Sequence, residues 1–142
     1  MRRETMKLGA INHIALTVSN LDRSEAFYNA LLRFLGYEQG EKTPQFILWA
    51  SSNGVITISP SNPESLNKKH DRYSPGLHHL AFSADSREDV NRLYEYLLEQ
   101  GIEILDPPGE YNYLPGYYAL YFLDPDGIKL ELTHIPNWPP QL

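Results

Sequence analysis

A chain of 142 residues is long enough to bury a core of its own without covalent staples. It has no cysteine, which excludes disulfides, thiolate metal sites and a thiol nucleophile, and leaves histidine and carboxylate as the strong metal ligands. A formal charge of −6 and a pI near 5.3, with basic pairs only at Arg2-Arg3 and Lys68-Lys69, exclude a general nucleic-acid surface, which needs clustered cations. The opening segment, residues 1–7, is basic but runs into a patterned strand, and no apolar stretch is long enough for secretion or for crossing a membrane. The composition reads as a soluble cytoplasmic protein.

In chain order, Ile11 to Val18 has the alternation of a strand, with Ile14, Leu16 and Val18 on an apolar face and His13, Ala15 and Thr17 on the other. Leu21 to Leu35 follows with Phe27, Ala30, Leu31 and Phe34 at helical spacing, a capping box from Asp22 and Glu25, and Gly36 as a stop. A strand begins near Tyr37-Glu38, and Phe46–Ala50 and Val55–Ile58 read as two strands joined through Ser51-Ser52-Asn53-Gly54. Residues 60–76, rich in Pro, Ser, Asn and Lys, read as a linker.

The second half repeats the order. A strand over 77–84 precedes a helix from Arg87 to Glu99, capped by Ser86 and stopped by Gly101; a strand over 102–105 and a long connection over 106–116, stiffened by Pro107, Pro108 and Pro115, come next. Strands over 117–123 and 128–133 close the series around the turn Asp124-Pro125-Asp126-Gly127. His13/His79, Ala15/Ala81, Tyr28/Tyr94, Leu31/Leu97 and Leu32/Leu98 match at one constant offset. With the shared order this predicts an α+β single domain over 1–142, built by duplication from two βαβββ modules at about 10–59 and 77–134, with a tail over 135–142.

The last strand places Lys129, Glu131 and Thr133 opposite its apolar face of Ile128, Leu130 and Leu132, so Glu131 shares the side of the two histidines. A carboxylate between leucines needs water or a partner, because burying an isolated charge is costly. Two imidazoles and a carboxylate from three strands suit Zn²⁺, Mn²⁺, Ni²⁺ or Fe²⁺ with positions left open. The competing reading of a strand histidine is a hydrogen-bonded filler, and on the residues alone both stand. His78 is expected on the opposite face near the helix, His70 in the linker and His134 just past the last strand.

The segments Asn12-His13-Ile14-Ala15-Leu16-Thr17-Val18-Ser19-Asn20-Leu21, Ala26-Phe27-Tyr28, His78-His79-Leu80-Ala81-Phe82 and Tyr121-Phe122-Leu123-Asp124-Pro125-Asp126-Gly127-Ile128-Lys129-Leu130-Glu131 resemble the vicinal oxygen chelate superfamily. That superfamily holds glyoxalase I, fosfomycin-resistance enzymes, extradiol dioxygenases and bleomycin-resistance proteins, and the likeness runs from Ile11 to His134. It implies paired βαβββ modules forming a curled, partly open mixed β-sheet barrel with helices outside, and a divalent metal held by His13, His79 and Glu131. It also implies a homodimer, with the site either inside one chain or shared between subunits. Two departures bear on the reaction. The fourth ligand of a typical glyoxalase I falls, by counting four residues from Gly54, on Ile58, and neither Thr57 nor Ser59 beside it is a carboxylate. The threonine that fosfomycin-resistance enzymes place two residues after the first ligand is Ala15, although Tyr121 matches one of their cleft tyrosines. Bleomycin-binding members lack the metal triad.

Tyr111, Tyr113, Tyr117, Tyr118 and Tyr121 gather before and along one strand, either as core filling or as the wall of a substrate pocket. Tyr121, and more loosely Tyr113, are the expected substrate contacts. The functional expectation is a metal-dependent lyase or isomerase of glyoxalase type, acting on a small molecule with adjacent oxygens and stabilising an enolate or oxyanion, with Glu131 or a metal-bound hydroxide as base. The alternatives are an Fe²⁺ extradiol-type dioxygenase and a non-catalytic small-molecule binding or resistance protein.

Overall fold

The computed structural model describes residues 8–141, and the chain divides after Leu66 into two compact units. The basic segment 1–7 lies outside the described residues. Among the described residues no helix is long and apolar enough to cross a membrane.

The first unit begins its sheet with β1 (Ile14–Val18), later than the apolar alternation suggested. Ile11 is exposed, and pairing starts only at Ile14, opposite Ile56, so His13 stands just ahead of the strand rather than within it. Within β1 the alternation holds, with Leu16 and Val18 buried and Ala15 and Thr17 exposed. Helix α1 (Leu21–Phe34) buries Phe27, Tyr28, Leu31 and Leu32. Its N-cap is Asn20 rather than the expected box at Asp22: Asn20 is extended, and its side-chain oxygen accepts from the Arg23 amide at 2.9 Å. Asp22 already lies in the first turn, where its charge suits the helix dipole. Glu25 turns outward and accepts from Lys42 at 2.9 Å and Gln39 at 3.1 Å. Gly36, at φ +92°, takes the left-handed conformation that ends the helix. Strands β2 (Glu38–Lys42), β3 (Ile47–Ser51) and β4 (Gly54–Pro60) complete a sheet of order β1-β4-β3-β2, parallel at β1/β4 and antiparallel elsewhere. Ile47, Trp49, Ile56 and Ile58 are its buried row.

The second unit repeats this plan with β5 (Leu80–Ser83), α2 (Arg87–Glu99), β6 (Ile104–Glu110), β7 (Tyr118–Leu123) and β8 (Lys129–His134), in the order β5-β8-β7-β6. Ser86 caps α2 as expected, accepting from the Asp89 amide at 3.1 Å. Val90, Leu93 and Leu97 form the buried face of α2, and Leu120, Phe122, Leu130 and Leu132 the buried row of the sheet. Much of the expected loop over 106–116 is instead strand: β6 continues through Pro107 and Pro108. It is an edge strand paired only with β7 and broken by register shifts on both sides of Asp106, where residues lacking an amide proton cost no ladder bond. His134 is the last residue of β8, pairing with Tyr118, not a residue beyond it. The turn before β8 is tied by Asp124 Oδ1, which accepts from the amides of Asp126 and Ile128, each at 2.8 Å.

Candidate metal centre

The β7–β8 ladder sets Tyr121 directly opposite Glu131, and the β5–β8 ladder sets Ala81 on the other side of Glu131. Cross-strand partners face the same side of a sheet, so these three share one row. Glu131 is fully buried, where an uncompensated charge is strongly disfavoured. Its Oε2 accepts a hydrogen bond from the Tyr117 hydroxyl. Its Oε1 lies 3.0 Å from His79 Nε2, yet has no hydrogen-bond partner. The two atoms are neighbours by placement and not by a hydrogen bond between them.

This pair fits a cation better than it fits itself. Nitrogen and oxygen donors at about 2.0–2.2 Å from one ion, set near a right angle, stand about 3 Å apart. An orphaned carboxylate oxygen beside an imidazole nitrogen is therefore a natural two-donor edge, and its N,O chemistry suits the borderline first-row dications. Among the described residues no three His, Asp or Glu side chains stand together as a complete cluster. In the first unit His13 is exposed, and its Nδ1 lies 2.8 Å from Asn12 Oδ1. An amide oxygen only accepts, so the ring donates from Nδ1, which leaves Nε2 of the neutral ring bare. His13 thus has the right tautomer for a ligand, within its own unit.

Two residues of the site were not singled out by the sequence reading. Tyr117 has the parity of Tyr121, with only the small side chain of Ala119 between them on that face, and this spacing was a readable signal. His78 was expected near the helix on the opposite face. It is instead exposed, with its Nδ1 2.7 Å from His79 Nδ1 and its ring edge-on to His79 and Tyr73. Both histidines precede Leu80, the first paired residue of β5, so strand alternation does not govern them.

The tyrosines form one cluster. Tyr121, 5% exposed, sets its ring edge-on to His79 and Tyr111, with Lys129 Nζ 4.5 Å above it. Tyr111 stacks on Tyr113, and Tyr117 meets both edge-on. Tyr113 is 66% exposed and touches the site only through these rings, so of the two expected substrate contacts Tyr121 alone borders His79 and Glu131. Burial, then the charge of Glu131 and the neighbouring Tyr117 hydroxyl, raise the pKa of Tyr121 far above the phenol range. Burial, then the bond to Glu131, raises Tyr117, and burial, then Asp106, raises Tyr111. All three are neutral phenols in the folded protein at ordinary pH.

The counterpart of Glu131 in the first unit is corrected by the strand register. Ile14 pairs with Ile56 and Ala15 with Thr57, as Leu80 pairs with Leu130 and Ala81 with Glu131. Thr57, not Ile58, therefore occupies the equivalent place. Counting from the glycines misled because the second hairpin has one residue more in its turn than the first, as the pairings Ala50↔Val55 and Leu123↔Lys129 show. The conclusion that the first unit offers no carboxylate there is unchanged.

Comparison with known proteins agrees with this architecture. The family model of the Glyoxalase/Bleomycin resistance protein/Dioxygenase superfamily matches residues 10–132. The uncharacterized protein YqjT of Bacillus subtilis is 33% identical over 87% of this chain and 97% of its own length. The metallothiol transferase FosB of Shouchella clausii is 32% identical over 88% of this chain and 80% of its own. Among solved structures, a glyoxalase-type protein of Bacillus halodurans superposes with a TM-score of 0.78 at 30% identity, covering 89% of this chain and 96% of that one. The chain belongs to the glyoxalase/bleomycin resistance protein/dioxygenase superfamily.

Proposed function

We propose that this protein is a metal-dependent enzyme of glyoxalase type, acting on a small molecule with adjacent oxygens, with His13, His79 and Glu131 as the protein ligands of one divalent ion. The observation that carries the reading is the fully buried Glu131, whose Oε1 lacks a hydrogen bond yet lies 3.0 Å from His79 Nε2. When bound, the ion supplies Lewis-acid polarisation of the substrate oxygens. In the same proposal the protein works as a cytoplasmic homodimer.

The side chains divide the remaining work. Tyr117 donates to Glu131 Oε2, which fixes the carboxylate plane and leaves Oε1 as the free oxygen. In this reading that oxygen holds the ion, or takes a proton from a carbon acid beside it. Tyr121, held neutral by burial and with its hydroxyl bonded to that of Tyr117, offers the substrate a ring face but no phenolate. The packed tyrosines keep water from Glu131, in a setting where a hydrogen bond or a charge acts more strongly than in water.

The identity with a metallothiol transferase favours a second reading, in which the same centre activates an electrophilic substrate toward a thiol. Metal analysis after chelator-free purification tests what both share. One divalent ion per chain is expected for the wild type and none for His79→Ala, and a metal-free wild type would end both readings. Hemithioacetal isomerisation against metal-dependent loss of a thiol then separates them, while oxygen uptake with catechols would point to the dioxygenase instead.

A further inference from the structure

We propose that His78 is a positioning residue for His79, accepting a hydrogen bond from His79 Nδ1–H and thereby holding the ring in the tautomer whose bare Nε2 stands beside Glu131. This rests on the reading of His79 as a metal ligand.

The contact itself restricts the protons. Two ring nitrogens 2.7 Å apart hold one proton between them, since two lone pairs or two N–H groups at that distance repel. If that proton belongs to His79, its neutral ring is bare at Nε2, as a ligand must be. The proton of His78 then sits on its own Nε2, on an exposed ring where water accepts it. A bare Nε2 and Glu131 Oε1 at 3.0 Å would repel as any two lone pairs do, and a cation bound by both removes that repulsion, so the assignment is that of the metal-loaded protein.

The ring of His78 is itself placed. It meets Tyr73 edge-on at 5.8 Å and His79 edge-on at 4.9 Å, each with planes 75° apart. It approaches His79 from the Nδ1 side, away from the nitrogen next to Glu131, so it serves the ligand without competing for the ion. Tyr117 does the same for the carboxylate, and each member of the pair has a partner on its far atom.

Two measurements test the assignment. Long-range ¹H–¹⁵N correlation of the Zn²⁺-loaded protein should show His79 protonated at Nδ1 and His78 protonated at Nε2; a His79 ring protonated at Nε2, or coordinated through Nδ1, would overturn it. Zn²⁺ affinity, read by competition with a chromophoric chelator, should fall about 10- to 100-fold in His78→Phe and recover to within about threefold of wild type in His78→Gln, whose side-chain oxygen can accept. Both variants lose the imidazole, so their difference reports the acceptor rather than the packing. Equal affinity in wild type and His78→Phe, or equal weakness in both variants, would overturn the positioning role alone. A wild type that binds no Zn²⁺ would overturn the metal-centre reading and this inference with it.

Discussion

The two units have the same scaffold and differ in one row of it. In the first, the row across β1, β4 and β3 is Ala15, Thr57 and Leu48; in the second, the row across β5, β8 and β7 is Ala81, Glu131 and Tyr121. The adjacent rows are alike, with Ile56 and Trp49 against Leu130 and Phe122, all buried. The apolar face that holds each sheet to its helix has been kept in kind. The opposite face has diverged: a half-buried Thr57 in one unit, and in the other a fully buried carboxylate with a tyrosine bonded to it. The same strand plan occurs twice, and the buried carboxylate occurs in one of the two rows.

The sharpest way to break this comparison is to place a carboxylate at each candidate counterpart of Glu131. Ile58→Glu puts a charge among fully buried residues without a partner and should cost about 4 kcal/mol or more in urea unfolding. Thr57→Glu, on the half-buried face, should cost about 1 kcal/mol. The reverse order would mean that the register equivalence is wrong.

A smaller effect is expected at Tyr117. Tyr117→Phe leaves a buried carboxylate oxygen without its donor, which should lower the stability of the metal-free protein by about 1–3 kcal/mol. Divalent-metal affinity should fall about 10- to 100-fold in the same variant, as for loss of a group that orients a ligand. Unchanged affinity would reduce Tyr117 to packing.

The smallest effect separates the units by pH. Tyr111, Tyr117 and Tyr121, all in the second unit, have pKa values raised above the ordinary 10.0. Their phenols stay neutral in the fold while the unfolded chain ionises, so their contribution is complete below pH 10 and is lost as pH rises toward the folded values. Urea midpoints at pH 9 and pH 11 should therefore drop in the wild type, and the drop should shrink in Tyr117→Phe/Tyr121→Phe. An equal drop would place the alkaline sensitivity elsewhere.

The sequence by itself determined what contiguous residues encode. Alternation, helical spacing, Ser86 and the glycine stops located both helices and most strands, and the repeated order announced two units of one plan. Parity alone put Glu131 on a row with Tyr121, and the superfamily was legible from the histidine and Asp-Pro-Asp-Gly segments. What only the tertiary structure decided depends on how distant segments meet. Thr57 replaced Ile58 as the counterpart of Glu131 because two hairpin turns differ by one residue, and register passes through the turn. The prolines of β6 became strand because an edge spares their missing amides. His78 left its expected face because pairing starts only at Leu80, and alternation binds a side chain only where a neighbouring strand holds the backbone extended.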